Sequence, residues 1–254
     1  KMFKKMLVFF FSLFLIGCGA NLQSSQATKN INAQINKVSV HVQQISDSNH
    51  VYDNSNINLD LLHDSKESIK NSLQQIFSDN KNNAVSSPDY QTILKKSLSC
   101  LHFIWLEEFD AAYKNNNQDA LKKTRQEYND FINQPEIREY YQSNNQTENL
   151  DNLQTAFNET ISLIENYKKI NENKTKLSSL KQNMDKLSAE NQLVSYNQLV
   201  DEYNLLVEEN TLLVNEYNKK IEIYTPEKIY QFFLDLININ DIFPQQNTLK
   251  FDKR

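Results

Sequence analysis

Glycine is almost missing from this chain: among 254 residues there are two, Gly17 and Gly19, both close to the N-terminus. Phosphate-binding loops, dinucleotide-binding turns, nucleophile elbows and tight hairpins all rely on backbone conformations or close approaches that glycine supplies. None of these can be present in its usual form, and an α/β solute-binding architecture is disfavoured for the same reason. Cysteine is equally scarce, with Cys18 and Cys100 alone. Cys100 lies in Leu98-Ser99-Cys100-Leu101-His102-Phe103, where it reads as a small buried apolar residue rather than a reactive thiol. Concentrated positive charge is missing too. The net charge is −5 and no long Lys/Arg cluster occurs, so the electrostatic footprint of a nucleic-acid binder is lacking. The four histidines, His41, His50, His63 and His102, include no pair at a metal-binding spacing such as i, i+4 on one helix. They read as solvated or hydrogen-bonded, and no metal or cofactor is expected.

The first residues carry a different kind of signal. Lys1, Lys4 and Lys5 precede an apolar run from Met6 to Ile16 that contains Phe9, Phe10, Phe11 and Phe14, and Gly17 and Cys18 follow. A basic start and an apolar stretch of roughly 7 to 15 residues suit an export signal, and are short for a span of about 20. Leu15-Ile16-Gly17-Cys18 resembles the lipobox of bacterial lipoproteins, although Ile16 is not the commonest occupant of its position. The resemblance implies that residues 1–17 are a signal peptide, that the chain is cut before Cys18, and that Cys18 receives a diacylglycerol on its sulfur. The expected location is then the extracytoplasmic face of a bacterial cell membrane. The two acyl chains would give the paired anchor that stable attachment needs, at about 0.8 kcal/mol per buried CH2. With Cys18 acylated, Cys100 has no partner in the chain and stability must come from packing. Loss of the three signal lysines would take the net charge to about −8.

Beyond the lipobox, residues 18–30 are polar and read as a flexible tether, and 31–254 as one helical domain. Ile31, Ile35, Val38, Val42 and Ile45 recur at helical steps and predict a helix over 31–47, with a short strand at Val38, Val40 and Val42 as the alternative. Residues 48–58 read as a loop. Leu61, Leu62, Ser65, Ile69, Leu73, Ile76 and Phe77 predict a second helix. Ser87 and Pro88 form a helix-start pair. The helix they open, over 88–114, is apolar around most of its circumference and should be central. Shorter helices are expected over 118–132 and 136–142, with Pro135 as the break.

From 149 to 223 there is neither glycine nor proline. Leu163, Tyr167, Ile170, Leu177, Leu180, Met184 and Leu187 make a first stripe. The second is Leu193, Tyr196, Val200, Tyr203, Val207, Asn210, Val214, Tyr217 and Ile221, with Leu199, Leu206 and Leu213 beside it. The steps are those of a coiled coil. An unbroken helix here would run roughly 110 Å at about 1.5 Å per residue, and the period slips after Leu187, so an antiparallel hairpin turning near 188–191 is expected. A third apolar residue per heptad points to a bundle rather than a two-stranded seam. Thr225 and Pro226 repeat the start signal for a docking helix over 225–240. The reading is therefore all-α: a helical body over 31–148, a long coiled-coil-like hairpin over 149–223, and a C-terminal helix.

Few residues suggest chemistry. Glu107, Glu108 and Asp110, beside Trp105 and Phe109, could form an acid pair over an aromatic floor as in glycan-cleaving enzymes. The more ordinary reading is the wet side of a helix, and no catalytic residue is assigned. Asn210 interrupts an apolar stripe, either to set helix register or at a wet edge. Tyr196, Tyr203 and Tyr217 read as core with wet hydroxyls, or, exposed together, as a stripe for a peptide or glycan.

The Lys/Asn/Tyr-rich helical body resembles in style the small helical lipoproteins of low-GC Gram-positive bacteria, including cell-wall-binding lipoproteins of bacilli and the staphylococcal group named for an EMYY motif. Arg138-Glu139-Tyr140-Tyr141 is the nearest local match and lacks the methionine. The expectation is a non-enzymatic, lipid-anchored envelope protein that binds a cell-wall polymer or envelope protein, or acts as a spacer. A membrane-tethered inhibitor or immunity protein against a secreted hydrolase or toxin is the second reading, and an envelope enzyme the third.

Overall fold

The computed structural model describes residues 26–46, 51–52, 54–80, 88–243 and 250–251. Residues 1–17, where a signal peptide is expected, and Cys18, His50 and Ser87 lie outside the described residues. The protein is an all-α helical bundle, with nine helices among the described residues: α1 (26–45), α2 (Leu59–Asn80), α3 (Pro88–Lys114), α4 (Gln118–Ile132), α5 (Pro135–Ser143), α6 (Thr147–Ala189), α7 (Leu193–Ile221), α8 (Pro226–Leu236) and α9 (Ile239–Ile242). A two-residue strand at Val51–Tyr52 pairs in parallel with Lys250–Phe251, and a single 3-10 turn spans Asn54–Asn56.

How helices end without glycine is visible at three turns. Asn116, Asn145 and Asn191 each take a left-handed φ, at 51°, 55° and 54°. Asparagine is the residue that occupies this conformation most readily after glycine. In each case the next N–H reaches back to a carbonyl five residues earlier: Asn117 to Ala112 (2.8 Å), Gln146 to Tyr141 (2.9 Å) and Gln192 to Leu187 (3.0 Å). These are Schellman closures, which satisfy carbonyls that the helix end leaves without partners. Helix α8 starts as the sequence predicts, with the Thr225 hydroxyl accepting from the Lys228 N–H and Pro226 in the first turn.

The core is built around α3, whose Leu101, Phe103, Ile104 and Trp105 are fully buried. Aromatic rings join the layers. Trp105 meets Tyr128 of α4 edge-on at 5.1 Å, and Phe109 meets Phe157 of α6 at 5.2 Å. Phe233 of α8 lies 6.0 Å from both Tyr128 and Phe157. The last short helix is held by Phe243 against Phe103 at 5.6 Å. Helix α1 lies on α2, where the Asn30 amide donates to the Ser68 and Ser72 hydroxyls at 3.0 and 2.7 Å.

Two expectations change. The helix predicted from residue 31 is already present at 26, and Ala27 is buried with Ile31, so residues 26–30 are not tether. Ala27 and Ile31, four positions apart, both join the buried core, although the segment is polar in composition. The hairpin turns at 190–192, and the near half of α6 packs into the bundle, but the far half of the hairpin does not. Helix α7 has no buried residue, and α6 has none beyond Asn173. The far part of the hairpin is a two-helix arm, extending about 25 Å past Asn173 at the helical rise.

Candidate functional site

The acids near the end of α3 divide: Glu107 and Asp110, one turn apart, converge on the Asn54 amide, while Glu108 faces another way. Successive helix positions differ by about 100°, so Glu107 and Glu108 point to different neighbours. Glu107 is 0% exposed, which removes it from any wet face. Its Oε2 accepts from the Asn54 amide at 2.9 Å. The same amide donates to Asp110 at 2.5 Å, and Asp110 pairs with Lys114 at 2.8 Å. The 3-10 turn thus ties the 54–56 segment to α3. Trp105 and Phe109 turn into the core, so there is no aromatic floor beneath the acids.

Glu108 instead lines a cleft of about 260 Å³ between α2, α3 and α4. At its base is Lys66, 1% exposed, whose ammonium donates to both Glu108 oxygens (2.8 and 2.7 Å) and to Glu127 Oε2 (2.8 Å). His63 Nδ1 lies 3.4 Å from Glu108. Burial pushes the Glu127 carboxyl up, but the Lys66 hydrogen bond and charge, helped by Lys70 and Lys123, outweigh it and hold it below its usual range. The ammonium has three protons and three oxygens to receive them, so it is a closed ion triad and offers neither a free base nor an open anion site. Sequence reasoning did not single out Lys66. The signal was there: Leu62, Lys66, Ile69, Leu73 and Ile76 keep steps of four and three, so the lysine occupies a core position of its stripe.

His102 is fully buried among Trp105, Tyr128, Tyr141 and Phe233. Its Nδ1 donates to the Leu98 carbonyl at 2.8 Å, and the Tyr128 hydroxyl lies 3.3 Å from Nε2, which is left to accept. Burial depresses its pKa to about 4, against a smaller opposing effect of the Leu98 bond. His41 Nε2 accepts from the Asn58 N–H at 2.9 Å. Cys100 is buried, and its thiol is pushed up to about 12 by that burial. Among the described residues no three His, Cys, Asp or Glu side chains gather in a metal-holding group. Nor is any described helix long and apolar enough to cross a membrane.

A second cavity, of about 360 Å³, opens at the foot of the arm. Four tyrosines line it: Tyr113 from the end of α3, Tyr167 from α6, Tyr217 from α7 and Tyr224 after α7, with Leu121, Leu163, Ile164 and Ile221 between them and Asn116 and Thr160 as polar points. The Tyr167 and Tyr217 rings are 5.8 Å apart and tilted by 34°, and Tyr113 stacks on Phe109 at 6.0 Å. Tyr167 stands 54% exposed, so an aromatic face is presented to solvent. Burial, then the nearby Tyr167 and Tyr113, raise the Tyr217 hydroxyl above its usual pKa. Of the tyrosines that the sequence grouped, Tyr217 alone reaches this groove. Tyr196 and Tyr203 are half-buried along the arm's seam. Tyr167 and Tyr217 are nearly equidistant from the turn at Asn191, and an antiparallel hairpin brings such residues together.

The seam of the arm runs along Tyr196, Leu199, Tyr203, Leu206, Asn210, Leu213 and Tyr217 of α7, all half-buried, against Ile170, Asn173, Leu177, Leu180, Met184 and Leu187 of α6. The row Val200, Val207 and Val214 lies on its flank, with Val207 already 38% exposed. Asn210 therefore does lie in the seam, and Asn173, which sequence reasoning passed over, is buried near the same level. The Asn173 amide nitrogen and the Asn210 amide oxygen are secluded without hydrogen-bond partners, one a donor and the other an acceptor. A polar layer of this kind penalises shifted registers more than the correct one. In a comparison with known proteins, no family model, no curated protein and no solved structure matches this chain.

Proposed function

We propose that the protein is a lipid-anchored, non-enzymatic component of the bacterial envelope that binds a glycan strand of the cell wall through the tyrosine groove at the foot of its arm. The observation that carries this reading is the groove itself: an open, preformed cavity whose walls are aromatic faces with few polar points, suited to stacking against sugar rings. The order of lysines, apolar run, Gly17 and Cys18 supports the diacylglycerol anchor, which would keep the groove within reach of the wall. The fates of the chemically capable groups agree with a binding role. Lys66 and its two carboxylates are engaged with one another, and Cys100 and His102 lie in the core.

The full chain in detergent micelles, mixed with purified peptidoglycan and sedimented, should be retained, and Tyr167→Ala should weaken retention on the order of tenfold, the loss of one stacked ring. Because Tyr167 is more than half exposed, that variant should fold normally. Failure to sediment, or retention that ignores Tyr167→Ala, contradicts the glycan reading. One-to-one capture of a single secreted hydrolase from envelope extract would favour the tethered-inhibitor reading instead. Mass spectrometry of membrane-extracted protein should find Cys18 at the N-terminus bearing a diacylglycerol; an unmodified Cys18 would contradict the anchor.

A further inference from the structure

The arm carries more apolar surface than a two-helix seam uses. Leu205 and Leu212, one heptad apart on α7, stand 69% and 66% exposed on the side of the arm away from the valine row. On that side a groove of about 420 Å³ runs between the helices, lined by Ser179, Leu180, Leu205 and Leu206, with Lys176 on the α6 side and Glu202 and Glu209 on the α7 side. The two helices also differ in charge. Beyond Asn173, α6 carries Lys174, Lys176, Lys181 and Lys186 against Asp185 alone. Along α7, Asp201, Glu202, Glu208 and Glu209 meet no basic residue before Lys219. Within one arm this contrast is partly used, as in the Lys169–Glu209 pair at 2.5 Å.

A surface with a basic half and an acidic half is complementary to itself under a two-fold axis, because each half then faces its opposite. We propose that the arm is a self-association surface, on which a second copy of this chain packs side by side to complete a four-helix bundle. The axis runs along the arms, so both point the same way and residues at one level stay level. The Lys169–Glu209 and Tyr167–Tyr217 contacts fix those levels and put Leu205 close to the level of Ser179. Leu205 of each copy is then placed to pack beside the other's Ser179. Both chains leave the bundle at the same end, which suits two copies anchored in one membrane, and the tyrosine grooves at the feet of the arms stay outside the contact.

The test is sedimentation equilibrium of the full chain in density-matched detergent micelles, at low and high salt. Three chains are compared: unmodified, L205E/L212E, and V40E, which alters an exposed apolar residue on α1 rather than on the arm. The expected result is a dimer that weakens with salt, is lost on the order of 100-fold in affinity in L205E/L212E, and is unchanged in V40E. Circular dichroism should be the same for all three. A monomer across the micromolar range at low salt overturns the proposal. So does a dimer that L205E/L212E leaves intact, since it would be held elsewhere, or one that V40E disrupts equally.

Discussion

The body and the arm share one helical period and differ in what surrounds it. Around α3 the helices are covered on several sides, and Trp105, Tyr128, Phe157 and Phe233 are buried to the last few per cent. The far half of the hairpin repeats steps of three and four as faithfully, yet no residue there is buried. The contrast lies in the side chains that join layers. The body has phenylalanines on α3, α4, α6 and α8, long enough to reach across to a third helix, while α7 and the distal part of α6 contain neither phenylalanine nor tryptophan. Periodicity tells a helix which face to bury; it does not tell how many helices will share that face.

Substitutions should separate the two regions most sharply. Phe233→Ala removes a ring that touches α3, α4 and α6, and should cost about 3–5 kcal/mol in urea denaturation. Leu206→Ala in the half-buried seam should cost about 1 kcal/mol, since part of the side chain is already in water. Equal losses would erase the distinction. Next in size is the ion triad. Lys66→Ala leaves Glu108 and Glu127 facing each other in a partly buried cleft and should cost about 3 kcal/mol, whereas Lys66→Met, with Glu108→Gln and Glu127→Gln, should recover most of it. If Lys66→Ala alone were neutral, the triad would be ornament on the body's surface.

Acid should unmake the body before the arm. The fold keeps His102 neutral down to about pH 4, whereas the unfolded chain takes up that proton near 6.5. The stability tied to the neutral ring is therefore whole above 6.5 and lost as the pH falls toward 4, by at most about 3 kcal/mol. His41, also lowered by burial, acts in the same direction. Glu127, held below its usual range, withdraws its share only as the pH falls further. Denaturant midpoints measured from pH 7 to 4 should drop across this window and flatten in His102→Gln; a midpoint independent of pH would contradict the burial of a neutral ring. The smallest effect concerns the turns. Asn116→Ala, on the body, forces a Cβ into the left-handed region without asparagine's local hydrogen bonding and should cost about 1 kcal/mol, while Asn116→Gly should be neutral or slightly stabilising.

Much of the fold was legible because helices write their own boundaries. Pro88, Pro135 and Thr225-Pro226 mark starts, and the slip after Leu187 marks the turn that Asn191 makes. What was not legible depended on partners far away in sequence. Residues 26–30 look like tether because Ala27 is small, and only the folded core gives it a place. Glu107 looks wet until Asn54 is brought beside it from 53 positions away. Lys66 looks like an interruption of its stripe until Glu108 and Glu127 arrive to neutralise it. The tyrosine groove needs four segments, of which the sequence pointed to one.

Hydrogen exchange under native conditions, followed residue by residue in the L205E/L212E chain so that association cannot protect the arm, tests the central distinction most directly. The amides of α3 around Leu101 to Trp105 should exchange only with global unfolding, while those of α6 beyond Asn173 and of α7 up to Asn210 should exchange through a far easier local opening. Uniform protection from the turn at Asn191 down to α3 would mean that arm and body are one cooperative unit, and would contradict the division between them.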